Sequence, residues 1–442
     1  MATGLTHSIT FKVLGIGLLA LLMLIPLAQV QGLIRERSAL RDGAVANIAR
    51  SFGGAQVVGG PVLAVPKRTR VQTSTGWTTQ ECTEILLPDR LNMHATLATE
   101  VRQYGIYATP VYVATLALDG SFLAADLRNR GGADTIYDWD RAELRLPIAD
   151  GRGIRRVSAL RVADAELPLG PGHGVAGFGA IAAAVDATRF DGERIPFALE
   201  LTLAGTESLR FLPLARRTEA SLTAPWPDPS FIGAFLPAER RIDAHGFTAQ
   251  WQVLDLNRGF GQSWRQDAEH ASEVGAAAFG VALYQPVGVY QQNERAGKYG
   301  VLFIALSFVA FFLFEVRRNL RVHPVQYLLV GLALATFYVV LLALSEHVGF
   351  TLAYLAAAAA VALLVGGYAA AVLRTRRGGA LLGALLAFVY ALLYGLVISE
   401  QYALLMGALA LLATVAALMY LTRQVDWYRA ASATPATTQP VA

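Results

Sequence analysis

The residues of this 442-residue chain that could do chemistry are few and scattered. The histidines stand at positions 7, 94, 173, 245, 270, 323 and 347, and no two have the HExxH or other spacing that places two ligands on one metal ion. Cys82 is the only cysteine, so an intramolecular disulfide, a CxxC redox pair and a cysteine-rich zinc site are all excluded. Asp138 and Asp140 flank Trp139, but alternate residues of a strand point the same way as a matter of course, and the spacing alone is no acid–base pair. There is no GxSxG and no cysteine in a catalytic setting. Gly172-His173-Gly174-Val175-Ala176-Gly177 matches GxGxxG by letter. A dinucleotide site needs that run to leave a strand and open a helix, whereas here Pro168, Gly170 and Pro171 precede it, and a flexible glycine-rich loop is expected. No cofactor and no metal site are expected, and no enzymatic activity.

A different group of residues could recognise a partner. Trp226-Pro227-Asp228-Pro229-Ser230-Phe231 is followed by Phe235-Leu236-Pro237, then by Leu256-Asn257-Arg258 and Gln262-Ser263-Trp264. Prolines this close preclude a helix and stiffen a loop, so its aromatic groups would lose little entropy on binding. Tryptophan and arginine are the residues that most often dominate interface energy. Trp226, Asp228, Phe231, Phe235, Asn257, Arg258 and Trp264 therefore form the candidate interaction surface; the plainer alternative is a packed loop covering a sheet edge. At the membrane, Glu346, His347 and Glu400 could meet at the outer mouth of a helix bundle, or serve only as loop polarity.

The elements that must carry these residues divide the chain. Hydrophobic residues make up 54% and charged residues 16%, and the deficit of charge is concentrated after residue 298. Val13–Val30 holds no charge across 18 residues, about 27 Å of helix and enough to cross a bilayer. Ala28-Gln29-Val30 is a poor signal-peptidase site, so an uncleaved anchor is expected. Five more charge-free runs succeed it: Tyr299–Phe314, Val325–Leu344, Val348–Leu373, Ala380–Ser399 and Tyr402–Leu421. Arg317, Arg318 and Arg321 lie in one connection, Arg374, Arg376 and Arg377 in another, and Arg423 and Arg429 after the last run. Positive loops stay in the cytoplasm, which places both termini inside and residues 32–298 outside. Arg35, Arg37 and Arg41 beside the first span pull the other way, but the five downstream spans agree with one another. The net charge of +4 is thereby explained by topology, and no nucleic-acid partner is implied.

Between the spans the pattern is that of an ordinary soluble domain. Leu33, Leu40, Ala44, Ile48 and Phe52 recur at helical spacing up to Gly53-Gly54, predicting a helix packed on a β-domain. Val62–Val65, Ile85–Leu87, Ile106–Leu118, Glu143–Ile148, Arg155–Arg161, Phe197–Ala204 and Phe247–Val253 read as strands, with Asp119-Gly120 and Asp150-Gly151 as hairpin turns. The expected organisation is an anchor at 1–31, an extracytoplasmic (periplasmic) β-rich, antiparallel sandwich-like domain at 32–298, a five-helix transmembrane bundle at 299–422, and a disordered cytoplasmic tail at 423–442.

Trp226–Pro237, Leu256–Arg258 with Gln262–Trp264, and Phe312–Glu315 with Arg321–Leu332 and Leu344–Phe350 resemble the CreD family of bacterial inner-membrane proteins. Gly59-Gly60-Pro61 and Phe211–Leu214 fit as well, so the resemblance runs in order along nearly the whole chain; Gly259-Phe260-Gly261 departs from it where a proline before Gln262 is expected. The resemblance implies a role in cell-envelope integrity and envelope stress, under a two-component system, with effects on tolerance to colicins or β-lactams. The family has no established catalytic residues to carry over. The reading that results is a non-enzymatic inner-membrane protein whose external domain meets an envelope component or a protein partner, with the lipid bilayer as its surroundings. The alternative is a transporter or channel for a neutral or lipidic substrate. The absence of ionisable residues from the five apolar runs weighs against a coupled pump.

Overall fold

The structure is a computed structural model that describes residues 9–74, 76–128, 130, 132, 134–190, 192–266, 269–283, 288–317, 322–372, 375–399 and 403–422. Arg318, Arg321, Arg374, Glu400, Arg423, Arg429 and the tail lie outside the described residues. The helices in chain order are α1 (Ile9–Leu22), α2 (Leu24–Phe52), α3 (Ala124–Arg128), α4 (Glu269–Ala276), α5 (Val289–Lys298), α6 (Gly300–Arg317), α7 (Pro324–Val348), α8 (Phe350–Val372), α9 (Arg376–Ile398) and α10 (Ala403–Thr422). The chain forms two compact units, Arg41–Pro286 and Met1–Leu40 with Val287–Ala442.

Among its described residues the Arg41–Pro286 unit holds two sheets, of eleven and nine strands. Gly246–Leu254 shows why a strand forms there: Phe247, Ala249, Trp251 and Val253 are buried while the residues between them are not, the two-residue period of a half-buried strand. In the nine-stranded sheet, Arg194–Thr206, Tyr107–Leu123, Arg90–Tyr104, Arg217–Ala224, Gly246–Leu254 and Glu239–Asp243 lie side by side in that order. Its Leu91, Met93, Leu116, Leu201 and Trp251 share one cluster with Leu63, Val65, Leu144, Phe211 and Phe279 of the eleven-stranded sheet. Fully burying one such side chain is worth about 1.5–3 kcal/mol. The eleven-stranded sheet is also covered on its other face, because Val62 and Ala64 point away from Leu63 and Val65 into a second cluster with Ile85, Leu87, Phe260, Trp264 and Val274 of α4.

Among the described residues pairing is antiparallel except at two places: Gln56–Val58 runs parallel to Ser208–Phe211, and Arg217–Ala224 parallel to Arg90–Tyr104. Two expected turns are corrected. Asp119-Gly120 lies inside the strand Tyr107–Leu123, opposite Ala198 and Phe197; a Cβ on Gly120 would come 2.1 Å from the Arg90 carbonyl oxygen, so glycine is there for close approach. Asp150-Gly151 does turn the chain, but it joins Ala142–Ile148 in one sheet to Ile154–Val157 in the other, so it is no hairpin. The glycine-rich run at 172–177 is not a loop either. Gly170–Val175 and Phe178–Val185 form a hairpin whose two-residue turn, Ala176-Gly177, has positive φ at both positions, as a primed turn requires.

The helix expected over 33–52 is the C-terminal part of α2. Ile48 and Phe52 are buried with Val111 and Ala204, and the guanidinium groups of Arg102 and Arg155 lie 4.6 and 5.2 Å from the centre of the Phe52 ring. Gly53 ends the helix at φ +120°, where a Cβ would meet the Ala204 carbonyl oxygen at 2.6 Å. Asp150 then holds the next residue, accepting a 2.9 Å bond from the Gly54 amide.

Four helices among the described residues are long and apolar enough to cross a membrane: Leu14–Phe52, Pro324–Val348, Phe350–Val372 and Arg376–Ile398. Val289–Lys298 with Gly300–Phe312 makes a fifth if the 46° bend between them lies within one span. The last expected run is the 20-residue helix α10. Composition places the end of the soluble-looking stretch at 298, whereas the contacts place it at Pro286, because α5 is polar in sequence yet packs on α7 and α9. Small residues set the helix spacing: a Cβ on Gly379 would sit 2.4 Å from that of Ala370, and one on Gly366 3.2 Å from Gly383 Cα. Phe337, Tyr354 and Tyr390 fill the centre of the bundle, with the Tyr354 hydroxyl donating to the Tyr390 carbonyl at 2.7 Å.

Candidate functional site

The candidate surface is built by two chain segments. The first, residues 226–237, is not a free loop throughout: Pro229–Gly233 is an edge strand on Phe279–Leu283, and proline is tolerated there because an edge strand has one side without a ladder. Trp226 is half-buried, its indole N–H 3.2 Å from the Asp228 carbonyl, while the Asp228 side chain is exposed. Phe231 is half-buried and meets Phe247 and Trp251 edge-on, with Arg240 over its face. Phe235 contacts Phe279, and its carbonyl accepts from the Trp251 indole at 3.2 Å. These aromatics therefore have one side on the core, while Leu236 beside them is 71% exposed.

In the second segment, residues 254–264, Asn257 is exposed and its side chain accepts from the Leu254 amide at 3.1 Å, closing a short turn; Leu256 between them is 88% exposed. Arg258 is half-buried and ties this turn down: it donates to the Pro213 carbonyl at 3.0 Å and to Gln262, and lies 4.5 Å over the Phe260 ring. Burial, helped by the charge of Arg216 and opposed by Asp255, pushes its pKa down to about 10. Arg258 is thus partly spent on holding the loop. Trp264 leaves the candidate surface. It is 5% exposed, sits in the strand Ser263–Arg265 opposite Ile85, and packs between Phe260 and His270 in the second core cluster.

Polar groups in the bundle prove more numerous than the apolar runs alone suggest. α6 continues past its apolar run to Arg317 and brings Glu315 with it; Glu315 is buried and accepts from the Tyr327 hydroxyl at 2.9 Å and the Val322 amide at 2.7 Å. Asn293 of α5 is buried and donates to Ser345 of α7 at 2.9 Å, one turn from the Tyr290–Glu346 bond of 2.9 Å. Glu346 thus has a local partner, His347 is exposed beside the Ala343 carbonyl, and Glu400, their expected companion, lies outside the described residues. The signal for Glu315 was an acidic residue ending an apolar run directly.

One further polar centre has no signature in the sequence. Glu84, buried in the strand Gly76–Leu86, accepts from Lys67 at 2.6 Å, Arg130 at 2.7 Å and the Tyr137 hydroxyl at 2.5 Å. Burial raises its pKa, but the bonds from Lys67 and Tyr137 and the two positive charges outweigh that and hold it below the ordinary carboxylate value. Beside it is a groove of about 500 Å³ lined by Lys67, Arg68, Glu81, Cys82, Asp138 and Arg141. Asp138 is paired with Arg68 at 2.6 Å, so it and Asp140 are no acid–base couple. Among the described residues no group of His, Cys, Asp and Glu is placed to hold a metal ion.

The family model described as inner membrane protein CreD matches residues 8–428. The chain is 34% identical over 413 residues to the inner membrane protein CreD of Escherichia coli (strain K12), covering 92% of this chain and 91% of that one. Among solved structures, an M1 zinc metallopeptidase from Deinococcus radiodurans shares 12% identity over 38% of each chain at a TM-score of 0.21. Yeast LTA4 hydrolase in complex with bestatin shares 8% over 80% of this chain and 69% of that one at 0.22. Scores this low carry no argument about fold or activity.

Proposed function

The chain belongs to the CreD family of inner membrane proteins, and on that premise we propose that it is a non-enzymatic envelope-maintenance protein. In this reading it is held by six spans, with both termini in the cytoplasm. Its external domain, two sheets stacked as a sandwich, meets an envelope component or partner protein through Trp226, Asp228, Phe231, Phe235 and Asn257 with the neighbouring Leu236 and Leu256. The observation that carries the reading is the exposure of Leu236 and Leu256 on two segments that the rest of the domain holds rigid: half-buried aromatics fix the first, and Arg258 fixes the second. Apolar groups presented on pre-ordered backbone lose little entropy when a partner covers them.

The orientation rests on the arginine-rich connections. In a Cys82→Ser background, Leu256→Cys should react with a membrane-impermeant thiol reagent in intact cells and Thr375→Cys should not; labelling of Thr375→Cys alone would invert the topology. For the surface, Trp226→Ala and Phe231→Ala in the full chain should fail to complement loss of the gene under envelope stress by more than their stability loss explains. If activity falls only in step with melting temperature, the segment is packing and nothing more.

A further inference from the structure

Sheets end in edges, and an edge strand carries unpaired backbone groups that another chain can pair with unless something blunts them. Most edges here are blunted. Glu239–Asp243, at one end of the nine-stranded sheet, is exposed throughout and carries Glu239, Arg240, Arg241 and Asp243. The other end of that sheet, Ala165–Leu167, is three residues long, and one end of the eleven-stranded sheet, Pro229–Gly233, begins with proline. The opposite end of that strand order is different. The three-residue strand Ser263–Arg265 covers only Glu84–Leu86 of the eleven-residue strand Gly76–Leu86. Among the described residues, Trp77–Cys82 has a strand on one side only, that of Val62–Thr73. It holds no proline, lysine or arginine, and Trp77, Thr78 and Thr79 favour extended backbone.

The direction of the free groups can be read from the ladder. The Thr83 carbonyl accepts from Gln266 and the Leu87 amide donates to Gln262, so odd-numbered residues of this strand turn both backbone groups outward. Trp77, Thr79 and Glu81 therefore present three N–H and three C=O groups along the open edge. We propose that a second copy of this chain occupies it, pairing antiparallel about a two-fold axis through Thr79. That register sets Thr79 against Thr79 and Trp77 against Glu81 of the other copy, and each such pair exchanges two hydrogen bonds. The outward groups of Trp77, Thr79 and Glu81 on both copies are then satisfied. Moving the axis by half a residue sets outward groups against inward ones, and moving it to Gln80 calls on Thr83, whose carbonyl Gln266 already holds.

Charge fits the same register. Gln72, Arg70 and Arg68 lie opposite Trp77, Thr79 and Glu81, so their side chains share a face. Arg70 lies 5.1 Å over the Trp77 ring. Each Glu81 carboxylate would come to rest beside the partner's Trp77, where the Arg70 guanidinium waits, and the two-fold makes that contact twice. Isologous pairing of this kind closes as a dimer, because each copy's open edge is used by the other.

The test uses full-length protein in native membranes with Cys82→Ser. In a hydrogen-bonded antiparallel pair the Cα atoms stand about 5.5 Å apart, within disulfide reach. Thr79→Cys should give, on mild oxidation, a reductant-sensitive species of twice the chain mass, while Gln72→Cys should not. Trp77→Cys and Glu81→Cys should each stay single alone and cross-link when the two are co-expressed, which fixes the register. Thr79→Pro removes only an outward N–H, and should convert the detergent-extracted dimer to monomer with the melting temperature unchanged. Absence of the doubled species from Thr79→Cys overturns the proposal. So does its cross-linking to a different polypeptide, which would assign the edge to another partner, and so does a Thr79→Pro variant that stays dimeric.

Discussion

The segments 226–237 and 254–264 are made of the same ingredients, aromatic residues set among proline or glycine, and they end in different places. Trp226, Phe231 and Phe235 rest one side on the core and leave the other outward, whereas Trp264 is enclosed between Phe260, His270 and the face of the eleven-stranded sheet. What folds over each strand accounts for the difference. Pro229–Gly233 and Ser263–Arg265 are both terminal strands of the eleven-stranded sheet, and Phe231 meets Phe247 and Trp251 on one side only. Ser263–Arg265 has α4 and the loop around Phe260 folded over it, and its tryptophan becomes the filling. Composition marks both segments as ordered; it does not say which of them faces out.

The largest expected effect lies at the enclosed end. Trp264→Ala should destabilise the full-length protein by about 3–5 kcal/mol, seen as loss of melting temperature in detergent. A cost below about 1 kcal/mol would mean that Trp264 is not enclosed and would erase the contrast.

The next effect tests the anchor of the same strand. Arg130 bridges Glu84 and Ser263, so Glu84→Gln should cost about 2 kcal/mol near neutral pH by weakening three charge-assisted bonds. Its sign with pH comes from the lowered pKa. The stabilisation is fully present above the ordinary carboxylate value near 4.5 and is lost as pH falls through the lower folded value. Wild type should therefore lose melting temperature on acidification below that point, and Glu84→Gln should lose less over the same range; parallel curves would show that folding leaves the carboxylate's pKa unchanged.

A smaller effect is expected on the half-covered side. Phe231→Ala should cost about 1–2 kcal/mol, since it gives up edge contacts to Phe247 and Trp251 and only part of its apolar area. A cost equal to that of Trp264→Ala would place both segments in the core alike.

Much of this organisation is legible in the sequence. The alternation of Phe247, Ala249, Trp251 and Val253 announces a half-buried strand, the spacing of Ile48 and Phe52 a packed helix, and Gly53 its end. Long apolar runs mark the helices to within a few residues, and the long ordered resemblance marks the family. The features that are not legible depend on partners distant in sequence. Asp119-Gly120 has the chemistry of a turn, but the surrounding residues pair continuously with Arg194–Thr206, and that ladder overrides the local preference. Gly172–Gly177 has the look of a loop because glycine hides strand character, and its pairing with Phe178–Val185 supplies the order. Arg258 reads as an exposed contact residue, but its carbonyl partner, Pro213, is 45 positions away. Of the candidate surface, the segments and their rigidity can be located from residue types; the separation of Trp264 from the rest needs the sheet. Leu236 and Leu256 stand in the right stretches, yet nothing local distinguishes an exposed leucine from a buried one.

Those two leucines give the most direct test of the binding surface. The double variant Leu236→Ser, Leu256→Ser removes apolar surface that the fold does not use, so its melting temperature should match wild type to within about 0.5 kcal/mol of stability. Complementation of envelope-stress sensitivity should nevertheless be lost. A variant that complements fully at normal expression would contradict the binding surface, whatever its melting temperature.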